Sequence, residues 1–487
     1  MQLLNGKPKT TVELLEYQVP IITRGTIIDD YTLTFGGRYG SARFVIPDPQ
    51  KFLSKIVLKN PSRLKDLYDL SIEEILEFMD DLGQRMVLKE NRFLQEAFLL
   101  NCEASGLTKS VLLTTYQALP MFLSKGFLRE MLEKRIGINY LENWVPTKLN
   151  DGRTVSIRAF GARTAHIIAG NVPLVAAGTL ARSCCTRCDT IIKLPSNDPL
   201  TAIALAQTMI EMEPNHPITK HVTVLYYKGG DTEFETAFYQ PENIDKIIAW
   251  GGFASVKHIT KYLQPGIDLI TLDPKLSMSI IGAEAFRNEE TLRTAAQRAA
   301  LDIGAYNQEA CVNSRVIYVQ SGTNNEGIAN LNQFGAYLYY SLVNLPQYLS
   351  TPAKTFNLNL KAEIDGLRID EDFYRVIGGE HNEGAVIVSQ IDEPVDFSQK
   401  LCGRVVNLVP IDDLTTAVKS VNAYTQTVGI YPEYLKQQIR DDLIRHGVQR
   451  IVSLGYAAAA SFATPQDSIE PLRRMCKWVM DEQSVPC

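Results

Sequence analysis

The chain has 487 residues, 45% of them hydrophobic and 21% charged, with a formal net charge of −6. That composition excludes a disordered chain and gives no bulk basic field for a nucleic-acid backbone. Eight cysteines are too few for a disulfide scaffold, which points to a reduced, cytoplasmic setting.

The most apolar run, Ala165 to Ala181, is interrupted by His166, Asn171 and Pro173, and reads as strand, turn and helix start rather than a membrane span. MQLLNGKPKT lacks the apolar core and small-residue site of a signal peptide, so none is expected. Strand-like alternation near Thr32, Thr34 and Phe35 gives way to helical periodicity. Ser71 to Met86 has a capping serine, acidic Glu73 and Glu74 in the first turn, and an Ile72, Ile75, Leu76, Met79 stripe. Lys125 to Ile136 is a second amphipathic candidate.

From residue 154 strands alternate with helices: Thr164 to Ile168, Thr190 to Leu194, Val222 to Tyr227, Ile244 to Trp250 and Ile267 to Leu272 as strands, with helices between them. Asp198-Pro199 is expected to open the helix running to Glu211, with Asp198 as its cap. This rhythm predicts an α/β fold with a mainly parallel sheet, whose ligands bind at the carboxyl ends of the strands. Gly170-Asn171, Pro195-Ser196-Asn197 and Gly251-Gly252 lie there. A second α/β region begins near Pro274, with a strand Ser279 to Ile281, a helix Glu289 to Ile303, a strand Arg315 to Val319 and a long helix from about Glu326. Strands at Val405 to Val409, Val428 to Tyr431 and Arg450 to Ser453 follow, with helices near Asp412 and Glu433.

Cys311 follows a polar loop, Tyr306-Asn307-Gln308-Glu309-Ala310, between a helix and a strand. It is either a small buried hydrophobe or a nucleophile, and position alone leaves the two readings even. Cys184, Cys185 and Cys188 include a C-x-x-C but have no second pair or histidine nearby, so packing is favoured over a metal. His166 reads as a satisfied core histidine close to a site. Gly251-Gly252, with Lys193-Leu194-Pro195-Ser196, gives two strand ends suited to a nucleotide, Lys193 supplying charge.

Together these residues resemble the aldehyde dehydrogenase superfamily. Asn307 to Cys311 with Ser314-Arg315-Val316 is similar to its nucleophile segment, and Gly170-Asn171-Val172-Pro173 to the turn whose asparagine helps form the oxyanion hole. KLPSNDPLTA (Lys193 to Ala202) is similar to the adenosine-binding segment, and Trp250-Gly251-Gly252 to the phosphate-proximal turn. A closer resemblance is to the LuxC family of fatty acyl-CoA reductases. It runs through Ser124-Lys125-Gly126, Ile157 to Phe160, His216 to Thr219, Thr425-Gln426-Thr427, Arg450-Ile451-Val452 and Pro471-Leu472 to Arg474. Departures are Glu309 in place of a glutamine, Asp273-Pro274-Lys275 in place of Gly-Pro-Lys, and Gln466 in place of a histidine.

The resemblance implies a Rossmann-type cofactor domain within 1–272 (core 154–272), a catalytic domain over 273–440, and a 441–487 tail completing it and making oligomer contacts. It implies Cys311 as nucleophile and Asn171 as oxyanion donor, with Lys193, Ser196, Gly251 and Gly252 toward the cofactor and no metal. Thr271 stands where oxidising members have the glutamate that activates water, which favours reduction of an acyl thioester, on CoA or on a protein, to an aldehyde. A CoA-acylating dehydrogenase running the other way and a silent scaffold subunit remain as alternatives. Glu309 is a candidate substitute base. Ser196 in place of a ribose-binding glutamate, with Lys193 nearby, predicts NADPH over NADH by ~10-fold or more if one charge-assisted contact is worth about 1.5–3 kcal/mol. A homotetramer supplied by an acyl-activating synthetase is the partnership the resemblance implies.

Overall fold

The computed structural model describes residues 15–37, 42–459 and 461–482. Its frame is two seven-stranded sheets flanked by helices, with two smaller three-stranded sheets. The first large sheet runs Asp268–Leu272, Lys246–Trp250, Arg163–Ile167, Asp189–Lys193, Val222–Leu225, Ile21–Thr23, Thr26–Ile28. Its first five strands are parallel, as their β-α alternation predicts, and each lies within two residues of its expected bounds.

Strand order reverses beside Arg163–Ile167, which pairs with Asp189–Lys193 on one side and Lys246–Trp250 on the other. The turns at Gly170-Asn171 and Gly251-Gly252 leave these strands at the topological switch point, where open α/β sheets bind ligands. Gly170 is required there by close approach: a Cβ would lie 2.4 Å from Asn197 Oδ1 and 2.6 Å from Pro195 Cγ. Asn197 Nδ2 donates to the Gly170 carbonyl at 2.8 Å, tying two strand-end turns together.

Two differences from the sequence reading stand out in this half. The N-terminal strands Ile21–Thr23 and Thr26–Ile28 add an antiparallel edge. A long-range pair docks them: the Arg24 guanidinium meets the buried Asp189 carboxylate, which also receives His221 Nδ1 at 2.7 Å. No local periodicity encodes that pairing. The second concerns the helix expected from Asp198-Pro199, which begins at Thr201 (Thr201–Met212). Asp198 turns inward instead, accepting from Thr201 Oγ1 at 2.6 Å, Asn101 Nδ2 at 2.8 Å and Thr201 N at 3.2 Å, so it still satisfies the helix start from two residues further out.

The Ile72–Arg85 helix carries the reciprocal capping box its sequence announces, between Ser71 and Glu74. The Leu174–Cys185 helix is buried on nearly all faces. Its Gly178 admits the Phe462 ring, which a Cβ would meet at 2.5 Å. Arg187, just beyond, donates to the carbonyls of Leu67, Leu70 and Leu141. The Cys184–Cys188 junction thus pins the N-terminal helices to the sheet.

The second large sheet is ordered Tyr374–Gly378, Ala385–Ser389, Val405–Pro410, Ser314–Val319, Leu276–Ile281, Thr425–Tyr431, Arg450–Ser453. Only Tyr374–Gly378 is antiparallel. The helices Glu289–Gly304 and Asn325–Val343 cover one face through an alanine-rich and aromatic core.

The tail divides between the halves. Arg450–Ser453 is a strand at its expected bounds and forms an edge of the second sheet. Lys477–Glu482, however, pairs antiparallel with Thr154–Phe160 along six residues, in a sheet with Val145–Lys148. The segment between these strands therefore crosses from the second large sheet to the first half.

Candidate active site

Cys311 sits at the entrance to Ser314–Val319, with only Glu309 and Ala310 separating it from three consecutive residues in left-handed conformation: Tyr306 (φ 52°), Asn307 (φ 53°) and Gln308 (φ 65°). Such a run costs on the order of 1–2 kcal/mol per non-glycine residue and persists only when its surroundings impose it. Side-chain amides impose it here. Gln308 Nε2 donates to the carbonyls of Val405 (2.8 Å) and Ser314 (3.0 Å), and Gln308 Oε1 accepts from Val405 N at 2.9 Å. Asn307 Oδ1 accepts from Thr351 N at 2.8 Å. Asn313 Oδ1 accepts from Ala310 N at 3.1 Å. The amides of the nucleophile motif therefore shape the backbone.

Asn171 meets this loop. Its Nδ2 donates to the Glu309 carbonyl at 3.1 Å, holding the amide two residues from Cys311, while its Oδ1 is buried without a hydrogen-bond partner. The pairing of Asn171 with the Cys311 loop spans 138 residues and joins the two halves.

On the other side, Ser277 Oγ donates to the Cys311 carbonyl at 2.7 Å and accepts from Thr427 N at 3.1 Å. One hydroxyl thus brings the Thr425–Tyr431 strand against the Cys311 main chain. Burial pushes the Cys311 thiol up and the nearby Asp467 carboxylate adds to that; the Gln426 side chain, the local main chain and Arg315 act the other way. Around Asp467, burial raises the carboxyl, whereas Gln426, Lys275 and Arg182 oppose the rise.

The acid beside the thiol is Asp467 from the tail. Glu309 instead faces a cavity of about 560 Å³ that it shares with Lys354, Cys402 and Cys102. Asp467, Gln426, Arg182 and Lys275 were not among the residues singled out for chemistry, because their approach depends on the tail crossing between sheets. The local signals were the family-like Thr425-Gln426-Thr427 and the departures at Asp273-Pro274-Lys275 and Gln466.

Lys193 ends its strand inside a cavity of about 240 Å³ with Ile167, Tyr227, Gly229, Gly230, Glu235 and His258. Its ammonium lies 5.5 Å from the Tyr226 ring centre and 5.7 Å from that of Tyr227. Burial pushes its pKa down to about 8, with Glu235 opposing. Glu235 was not anticipated: it is buried and meets His258 Nε2 at 2.7 Å and the Tyr262 hydroxyl at 2.9 Å. Aromatic and aliphatic walls with the Lys193 cation and the Glu235 carboxylate form a lining that suits the adenosine end of a nicotinamide nucleotide. Ser196 is half-buried on the turn beyond and does not line this cavity. Gly251 and Gly252 line neither this cavity nor a second cleft of about 500 Å³ bordered by Phe253, Lys275, Arg315 and Thr425.

The other candidates are structural. His166 is buried among Thr164 Oγ1 (3.2 Å) and Ser183 Oγ (3.1 Å), and burial followed by Arg182 drives its pKa to about 3. Cys184, Cys185 and Cys188 are buried, which raises all three thiols, that of Cys185 to about 12. Among the described residues no helix is long and apolar enough to cross a membrane.

Comparison with known proteins places this arrangement. The acyl-CoA reductase (LuxC) family profile matches residues 67–478. The chain belongs to that family. It is 29% identical to a long-chain acyl-protein thioester reductase of Photorhabdus laumondii, over 87% of this chain and 86% of the relative. With the Vibrio harveyi protein of the same description it shares 26% identity, over 96% and 94%. The fold is that of the aldehyde dehydrogenases: lactaldehyde dehydrogenase from Escherichia coli superposes with a TM-score of 0.70 at 14% identity, over 96% of this chain and all of that one. This LuxC family member is therefore an oxidoreductase with an aldehyde dehydrogenase-like α/β fold.

Proposed function

We propose that the protein reduces a long-chain fatty acyl thioester, on CoA or a protein, to the aldehyde through an acyl-Cys311 intermediate, with NADPH as reductant. The observation that carries this reading is the clamped Cys311 loop, met by Asn171 from the opposite half. The Cys311 thiolate attacks the thioester carbonyl, and the Asn171 amide and the Cys311 N–H receive the oxyanion. Each such donor is typically worth about 3–4 kcal/mol. The carbon–sulfur bond of the donor thioester then breaks and its thiol leaves with a proton. When bound, the nicotinamide supplies a hydride for the acyl carbon. The resulting thiohemiacetal on Cys311 collapses, returning the thiol and releasing aldehyde.

Thr271 supports reduction over hydrolysis. It lies on the Asp268–Leu272 strand opposite Ala249, where a hydroxyl of ordinary acidity is no base for water. Lys193 serves the adenosine end, with Ser196, Gly251 and Gly252 on the adjoining turns. A homotetramer receiving acyl groups from an acyl-activating synthetase completes the proposal, in the cytoplasm. Light scattering at micromolar concentration checks the assembly, and a monomer there counts against it.

Incubation with radiolabelled acyl-CoA tests the chemistry. Wild type and Cys188→Ala should retain label and release aldehyde on adding NADPH; Cys311→Ala should do neither. Label retained by Cys311→Ala would remove Cys311 from its assigned role, and equal loss in both variants would point to a structural or metal role for the 184–188 cluster.

A further inference from the structure

The tail brings a feature to Cys311 that the reaction above does not use. Asp467 (φ 52°) and Ser468 (φ 59°) are consecutive non-glycine residues in left-handed conformation. Neighbouring Gln466 is held by Arg182, whose Nη2 donates to Gln466 Oε1 at 2.8 Å. This strained turn delivers the Asp467 carboxylate to Gln426: Nε2 donates to Asp467 Oδ1 at 2.7 Å. Gln426 is 6% exposed, and its Oε1 is buried without a hydrogen-bond partner. The residue beside it, Thr427, shares the Ser277 hydroxyl with the Cys311 carbonyl.

We infer that Asp467 is a positioning residue that fixes the flip of the Gln426 amide, so that the amide presents its N–H₂ end to the Cys311 sulfur. An ionised carboxylate only accepts, so Gln426 must point its N–H₂ group at Asp467. The same amide is the side-chain partner that favours the Cys311 thiolate, while its Oε1 is left without a donor. With the amide reversed, two acceptors would face each other and the sulfur would lose a donor. The orphaned Oε1 is what this one-sided anchoring leaves behind.

The same carboxylate opposes the thiolate through space, so its two influences on Cys311 have opposite signs. Lys275 and Arg182 face Asp467 with positive charge and Asp273 with negative. Arg315 and Arg450 face Cys311. These cations limit the through-space repulsion, leaving the anchored amide to set the donor geometry.

The inference rests on Cys311 as nucleophile, but its test reads the thiol without turnover. The pH dependence of iodoacetamide alkylation is followed at the Cys311 peptide by mass spectrometry in wild type, Gln426→Leu, Asp467→Asn and the double variant. Asparagine keeps the size of Asp467 and its tolerance of left-handed backbone. Gln426→Leu should raise the alkylation midpoint by about 0.5–1 pH unit through loss of the donor. In the Gln426→Leu background, Asp467→Asn should lower the midpoint, because only charge is removed. With Gln426 present the fall should shrink or reverse, because the amide is released to flip. Additive effects across the cycle, or no rise in Gln426→Leu, would overturn the inference. Thermal melting of each variant identifies any that fails to fold, and Gln426→Met then replaces Gln426→Leu.

Discussion

The Tyr306–Gln308 segment ahead of Cys311 is forced into left-handed backbone by neutral amides that bond to main chain, with Gln308 alone making three such bonds. Lys193, by contrast, stands at its strand end among aromatic rings, and one buried carboxylate, Glu235, shares its cavity. The first region specifies position through directional bonds. The second specifies charge in a low-dielectric pocket. Damage to the nucleophile loop should therefore be read as lost geometry and stability. Damage to the proposed cofactor pocket should be read as changed selectivity and pH dependence.

The largest effect expected after loss of Cys311 itself comes from Asn171→Ala. Removing one preorganised oxyanion donor typically lowers turnover roughly 100–1000-fold. Pre-steady-state acylation should slow by that factor with little change in cofactor affinity. A comparable loss of NADPH binding would instead mean that Asn171 chiefly joins the two halves.

Gln308→Leu tests the clamp directly. It removes all three bonds and leaves Val405 N–H, buried on its strand, without its partner. The expected cost is about 2–4 kcal/mol of stability, read as a lower melting temperature, together with slower acylation. Unchanged melting would show that the left-handed run is held by the surrounding fold rather than by this amide.

The two regions also differ in how much the sequence reveals. The parallel strands of the first sheet and the capping box at Ser71 are local patterns, and they lie where periodicity puts them. The motif around Cys311 was legible as a motif, but the work of Asn307 and Gln308 was not, since their partners Thr351 and Val405 lie 44 and 97 residues away. Asp467 and Gln426 were missed for the same reason, and so was Glu235, which reads locally as one acid in a short helix. Asp198 was anticipated as a cap but not as a buried group shared with Asn101. Long-range pairing of polar side chains leaves no periodicity to read.

Selectivity of the cofactor pocket gives the smallest effects and the sharpest contrast. Lys193 has its pKa lowered by burial to about 8, so in the free protein it is charged below that pH and neutral above it. A 2′-phosphate favours the charged form, so the complex should hold the proton to higher pH than the free protein. The NADPH dissociation constant should thus be flat through pH 7 and rise above about pH 8, by up to ~10-fold per pH unit until Lys193 in the complex also titrates. NADH, without that phosphate, should show a much weaker rise. Lys193→Ala should flatten the NADPH curve and bring its affinity to that of NADH, measured by nucleotide fluorescence rather than turnover. Ser196→Glu adds a carboxylate on the turn beyond the cavity that Lys193 lines, so it should erode the NADPH preference by less than Lys193→Ala does. If Ser196→Glu instead has the larger effect, the 2′-phosphate is held on the Pro195-Ser196-Asn197 turn, and the cavity around Lys193 and Glu235 serves the base.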